Sequence, residues 1–183
     1  MLETLLAKHC GPALAGIKPG NLVTCIKNEI PNLKSDILRL NSELNRKDIY
    51  IEAICECDRS ILLLVYRRKL LGEYLNSSEI FTLLKKCGYD KCKSIEDYIE
   101  RLKTRLNNSE FPHEIGAFLG YPAHDIYGFV HHRDEGCLLV GEWRVYRDAD
   151  KAAELFRRYK CCRCAILKRL AQGKTLAQIF CAA

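Results

Sequence analysis

The sequence predicts an α+β fold, a single compact domain over residues 1–183 with roughly four strands, several helices and a long C-terminal helix. Three observations carry this expectation. Two runs rich in strand-forming residues, 48–56 and 60–67, are joined only by Cys57-Asp58-Arg59, the pattern of a central β-hairpin. On either side of it, apolar residues recur three and four apart, the period of a half-buried helix. No repeat, low-complexity tract or Pro/Gly/Ser-rich linker divides the chain, and its length suits one hydrophobic core.

The elements follow in order. Residues 2–9 read as a short helix leading into a turn at Cys10-Gly11-Pro12, because Gly-Pro punctuates local structure. Residues 13–17 read as a short strand broken at Lys18-Pro19-Gly20. Residues 32–43 form a helix on the spacing of Leu33, Ile37, Leu40 and Leu44. The second hairpin arm, 60–67, is apolar on both faces, which predicts a strand covered on both sides. Residues 69–75 read as a short helix, and Ser77-Ser78-Glu79 opens another that reaches Lys86 and stops at Gly88. Residues 94–106 are amphipathic, with Ile95, Tyr98, Ile99 and Leu102 inward and basic residues outward.

The C-terminal half continues the pattern. Residues 112–120 read as a helix, 125–130 as a turn or short helix, and 131–136 as a polar loop. His124, His131 and His132 read as solvated loop residues. Residues 137–146 alternate like a strand. Asp148 then caps a helix to about Gln172, ended by Gly173, with Ala152, Leu155, Tyr159, Cys162, Ile166 and Leu170 as its core-facing seam.

Composition narrows the setting. Hydrophobic residues make 48% and charged residues 28% of the chain, ordinary for a globular protein. No apolar run approaches a membrane span, and the first residues lack the basic-then-apolar pattern of a secretory signal, so a cytoplasmic location is expected. Eleven cysteines, an odd number, read as free thiols in a reducing compartment. The net charge of +6 is uneven: from Trp143 onward ten Lys/Arg face three acids, leaving the preceding residues at −1.

The unusual residues gather in separate blocks. In Phe111–Pro122 a proline, the His113-Glu114 pair and two glycines interrupt an apolar run, and each helical glycine costs about 1 kcal/mol against alanine. Helical phasing would put His113, Gly116, Ala117 and Gly120 on one small face that another backbone or a ligand presses against. Glu114, in the first turn, complements the helix dipole. A zincin motif would need a histidine where Ala117 stands. The block Cys10–Asn21 holds a thiol beside His9, with Lys18 adding positive charge and Asn21 a ligand-orienting amide. With His113 in reach, Cys10 would have the parts of an activated thiolate.

The blocks His9–Leu22 and Phe111–Pro122, together with Leu64-Val65-Tyr66-Arg67 and Gly141-Glu142-Trp143-Arg144-Val145-Tyr146, resemble a family of small proteins from anaerobic bacteria known as a domain of unknown function. The resemblance spans nearly the whole chain. It implies a bacterial cytosolic single-domain protein and brings no substrate, cofactor or catalytic residue with it.

The residues therefore point to a protein that binds a small molecule, metal or cofactor in one cleft. Its walls would be the Cys10–Asn21 block and the 112–120 helix, with Tyr66, Arg67 and Tyr121 at the edge. A sharper version is a thiol-dependent enzyme, with Cys10 as nucleophile and His113 as base. Cys161-x-x-Cys164, Cys87-x4-Cys92 and the Cys55/Cys57 pair match no standard zinc spacing. Neither a P-loop nor a dinucleotide fingerprint is present. The alternative is an interaction or nucleic-acid-binding module using Arg157, Arg158, Lys160, Arg163, Lys168, Arg169 and Lys174 of the last long helix.

Overall fold

The computed structural model describes residues 1–107 and 111–181. Its centre is an antiparallel sheet of β1 (Gly20–Ile26), β2 (Ile49–Glu56) and β3 (Ser60–Arg67), in the order β1-β3-β2. The hairpin is as expected, and β3 lies in the middle of the sheet. Side chains alternate across a strand, so Ile61, Leu63 and Val65 enter one core while Leu64 and Tyr66 enter another. The same alternation sends Ile49 and Ile51 of β2 into the first core and Ile54 into the second, and a bulge shifts the register between Ala53 and Cys55. Helices cover both faces, which is why β3 is apolar throughout.

The first face is covered by α1 (Leu2–Leu14), α2 (Leu33–Leu44), α8 (Ala149–Ala171) and α9 (Leu176–Cys181). The second is covered by α3 (Arg68–Leu75), α4 (Ser78–Lys86), α5 (Ile95–Leu106), the one-turn α6 (Ile115–Phe118) and α7 (Ala123–His132). A third cluster joins the small hairpin of β4 (Leu139–Val140) and β5 (Arg144–Val145) to α8 through Trp143, Val145, Ala152 and Tyr159. The class is α+β.

Several elements differ from expectation, each for a tertiary reason. The first helix does not stop at Cys10 but runs through Gly11-Pro12, so residues 13–17 form no strand. Pro12 has no N–H to donate to the preceding turn, yet the backbone beyond it is held from a distance. The Asn21 side-chain oxygen accepts from Ala13 N at 3.1 Å. Arg67 donates from Nε to Ala13 O at 3.2 Å and from Nη2 to Leu14 O, satisfying carbonyls that a helix end leaves open. Gly11 lies where α8 crosses: a Cβ there would come within 2.9 Å of Arg163 Cγ and 3.2 Å of Arg163 Cα.

The unforeseen strand, β1, pairs with β3 from Gly20↔Tyr66 to Ile26↔Ser60. Residues 137–146 fold back on themselves as β4 and β5 rather than running as one strand. The histidines at 124, 131 and 132 are helical, within α7. Asp148 makes no side-chain cap on α8; it takes a left-handed backbone, φ 56°. α9 carries a capping box in Thr175 and Gln178, each accepting the other's N–H.

Candidate functional site

The 112–120 segment is not a long helix. Only Ile115–Phe118 is helical, and Gly120 leaves it at φ 70°, in the left-handed region that favours glycine. A Cβ on Gly120 would approach Pro19 Cδ to 2.5 Å, and one on Gly20 would meet Phe118 O at 2.6 Å. Arg67 N donates to Pro19 O, and Tyr74 Oη donates to Tyr121 O at 2.8 Å. The Cys10–Asn21 block, Tyr66-Arg67 and the 112–120 segment thus do converge, but as protein packed on protein. Gly120 abuts Pro19 and Gly20 abuts the Phe118 carbonyl, so no cleft lies between these walls, whereas Gly116 faces Tyr121 and Ile126.

That packing assigns structural contacts to several candidate residues. Asn21 and Arg67 secure the end of α1. Tyr66 is buried, stacks on Tyr50 with ring centroids 5.5 Å apart and donates to Glu52 at 3.2 Å. Cys10 has no exposed surface and lies in the first core, among the side chains of α1 and β1. Burial pushes its thiol pKa well up, and the charged groups acting on it are Lys18, Cys25 and Arg163. His113 lies on the other side of the sheet's helical cover, exposed and edge-on to Phe129. The two are not brought together, and a thiol with a raised pKa is the opposite of an activated nucleophile.

Lys18 is 2% exposed, with Nζ 5.2 Å from the Tyr121 ring centre and 5.5 Å from that of Tyr159. Desolvation lowers its pKa from 10.5 to about 8; nearby Glu142 opposes the drop, while Arg163, itself paired with Glu142, adds to it. Because the folded form binds the ammonium less well than the unfolded chain, this group destabilises the fold below pH 8. The penalty fades as pH rises from about 8 to 10.5, where the folded state has lost a proton that the unfolded state keeps. Lys18→Met is expected to be the more stable protein at pH 7, by on the order of 2–3 kcal/mol. Urea unfolding at pH 7 and pH 10 checks this, and the difference between variant and wild type must shrink at the higher pH.

The open space lies on the far side of His113. A proximal lobe of about 440 Å³ is lined by Leu83, Lys86, Cys87, Arg105, Glu114 and His131, and a distal lobe of about 470 Å³ by Tyr121, Asp125, Phe129, Val140, Trp143 and Arg144. Phe111, His113 and Ile126 line both lobes and form the partition between them. The exposed faces of Phe111, Val130 and Val140 make an apolar rim.

Two buried carboxylates shape these lobes. Glu114 is 4% exposed; Arg105 grips it through Nε–Oε1 at 2.7 Å and Nη2–Oε2 at 3.3 Å, and Tyr89 Oη stands 3.4 Å from Oε1. The hydrogen bond to Glu114 raises the Arg105 pKa, while burial and then the Glu114 charge push the Tyr89 phenol up against the opposing Arg105. On the distal side Asp125 accepts from Trp143 Nε1 and Tyr146 N, both at 2.7 Å, and so fastens β5 to α7. Tyr121 stacks on Trp143 with centroids 4.8 Å apart and donates to Glu142 O. A thiol does line the cleft beside His113, but it is Cys87, whose pKa is raised by burial and by Glu114. Among the described residues no group of three or more His, Cys, Asp or Glu is placed to hold a metal ion.

Fold and site together define an α+β protein with a two-lobed, largely apolar cleft, with Lys86 and Arg105 lining one lobe and Arg144 the other. The family described as "Protein of unknown function (DUF3793)" matches residues 6–180, and the chain belongs to that family. Comparison with curated proteins and with solved structures finds no match.

Sequence reasoning located His113, Glu114 and Tyr121 in this region and missed Lys86, Cys87, Arg105, Asp125 and Trp143. One signal was available. A lone tryptophan that becomes buried needs an acceptor for its indole N–H, and Asp125 sits in a stretch otherwise poor in carboxylates.

Proposed function

We propose that this is a cytosolic small-molecule-binding protein whose ligand occupies the cleft on either side of His113. The observation that carries this reading is the cleft itself. Its lobes are of a size that encloses small organic ligands, mostly apolar, with a few fixed polar groups. The buried carboxylates that border it are already satisfied by protein donors, so the walls are set without a ligand. The basic face of α8 supports the nucleic-acid alternative less well. Arg157 pairs with Glu154 and Arg163 with Glu142, and no aromatic stacking group accompanies the remaining cations on that face.

Trp143 is the only tryptophan and lines the distal lobe, so it reports directly on occupancy. Titration with anilinonaphthalene sulfonate, an apolar aromatic anion, is expected to quench Trp143 by energy transfer with a saturable, single-site curve. His113→Tyr, at an exposed position, should narrow the partition and weaken binding roughly tenfold or more while Trp143 stays the sole reporter and the far-UV spectrum stays unchanged. Probe fluorescence with no saturable effect on Trp143 would contradict the reading.

A further inference from the structure

The two lobes differ in kind. In the proximal lobe Arg105 and Glu114 neutralise one another, which leaves Lys86, among the described residues, as the charge without an ion-pair partner. Lys86 Nζ lies 2.5 Å from Tyr127 Oη and 5.3 Å from that ring's centre, a neutral partner, and no carboxylate among the described residues forms an ion pair with it. His113 and His131 flank the same space.

The distal lobe offers no such group. Both oxygens of Asp125 accept from the protein, and Arg144 is paired with Asp134 and lies over the Phe129 ring at 5.9 Å. Its remaining surface is aromatic and aliphatic. A ligand spanning the partition would therefore meet one free ammonium at one end and apolar walls at the other. A second charge at the apolar end would be buried without a partner.

We propose that the ligand is a single-headed amphiphilic carboxylate, with its acid group at Lys86 and its apolar body running past His113 against Trp143. This rests on the cleft being a ligand site, and it adds the ligand's class and direction. An ammonium–carboxylate contact is a charge-assisted hydrogen bond, which sets the scale of the preference.

Octanoate, octanol and octylamine share one tail and differ only in the head group, so Trp143 emission can follow all three on the same footing. Octanoate is expected to bind roughly tenfold or more tightly than octanol, with octylamine weakest. Lys86 is exposed, so Lys86→Gln should fold normally; it is expected to erase the preference for the acid while octanol still perturbs Trp143. Equal binding of the three probes, or a preference that survives Lys86→Gln, would overturn the ligand class and leave the cleft standing. No response of Trp143 to any of them, or to the naphthalene sulfonate, would overturn both.

Discussion

Asp125→Ala is expected to destabilise the protein by about 2–5 kcal/mol, among the largest losses available from a single polar side chain. Two donors, the buried Trp143 Nε1–H and the part-buried Tyr146 N–H, depend on this carboxylate, and each loses its acceptor at once. Asp125→Asn keeps one acceptor oxygen and should cost about half as much. Urea unfolding measures the loss. A red shift of Trp143 emission in the folded variant should accompany it, because β5 and its hairpin are no longer fastened to α7. An unshifted spectrum with wild-type stability would mean that Asp125 does not hold the distal lobe.

The second large effect is on the proximal side. Arg105→Met should cost about 3–5 kcal/mol, because it strands the Glu114 carboxylate in a buried position with only Tyr89 Oη nearby. Adding Glu114→Gln to the same chain is expected to restore a large part of the loss. It removes the unpaired charge, and the pair itself contributes little net stability over neutral groups. If the double variant is no more stable than Arg105→Met alone, the cost lies in lost packing of the arginine stem rather than in a buried charge.

What could be read in the sequence was whatever rests on local periodicity. The hairpin 48–56/60–67 shows as two runs rich in strand-forming residues joined by three residues, and the two-sided burial of β3 follows from its unbroken apolar run. The helices at 33–44, 78–86 and 95–106 announce themselves by spacing, the last with a Ser94–Asp97 capping box. What could not be read depends on partners far along the chain. The helix runs on across Gly11-Pro12, with Asn21 accepting from the Ala13 amide and Arg67 donating to the Ala13 and Leu14 carbonyls left open at its end. Arg105 looks like one more outward basic residue of α5 until Glu114 folds back against it.

The site was legible in part for the same reason. The oddity of 111–122 was visible, but Gly120 serves a turn and the close approach of Pro19, while Gly116 packs on Tyr121 and Ile126 and lines the distal lobe. Only His113 and its neighbours face open space. Cys10 beside a Gly-Pro pair suggested an exposed thiol; because the helix runs on, its side chain points into the core instead.

Thiol footprinting tests the occupied cleft most directly, since all eleven cysteines are unpaired and are distributed over the molecule. Cys87 lines the proximal lobe, while Cys57, Cys161 and Cys164 are exposed elsewhere. Maleimide labelling followed by mass spectrometry, with and without saturating naphthalene sulfonate, compares them in one sample. The expected result is selective protection of Cys87, with Cys57, Cys161 and Cys164 labelled at unchanged rates. Labelling of Cys87 at the same rate with the probe bound would place the ligand outside this cleft and contradict the assignment.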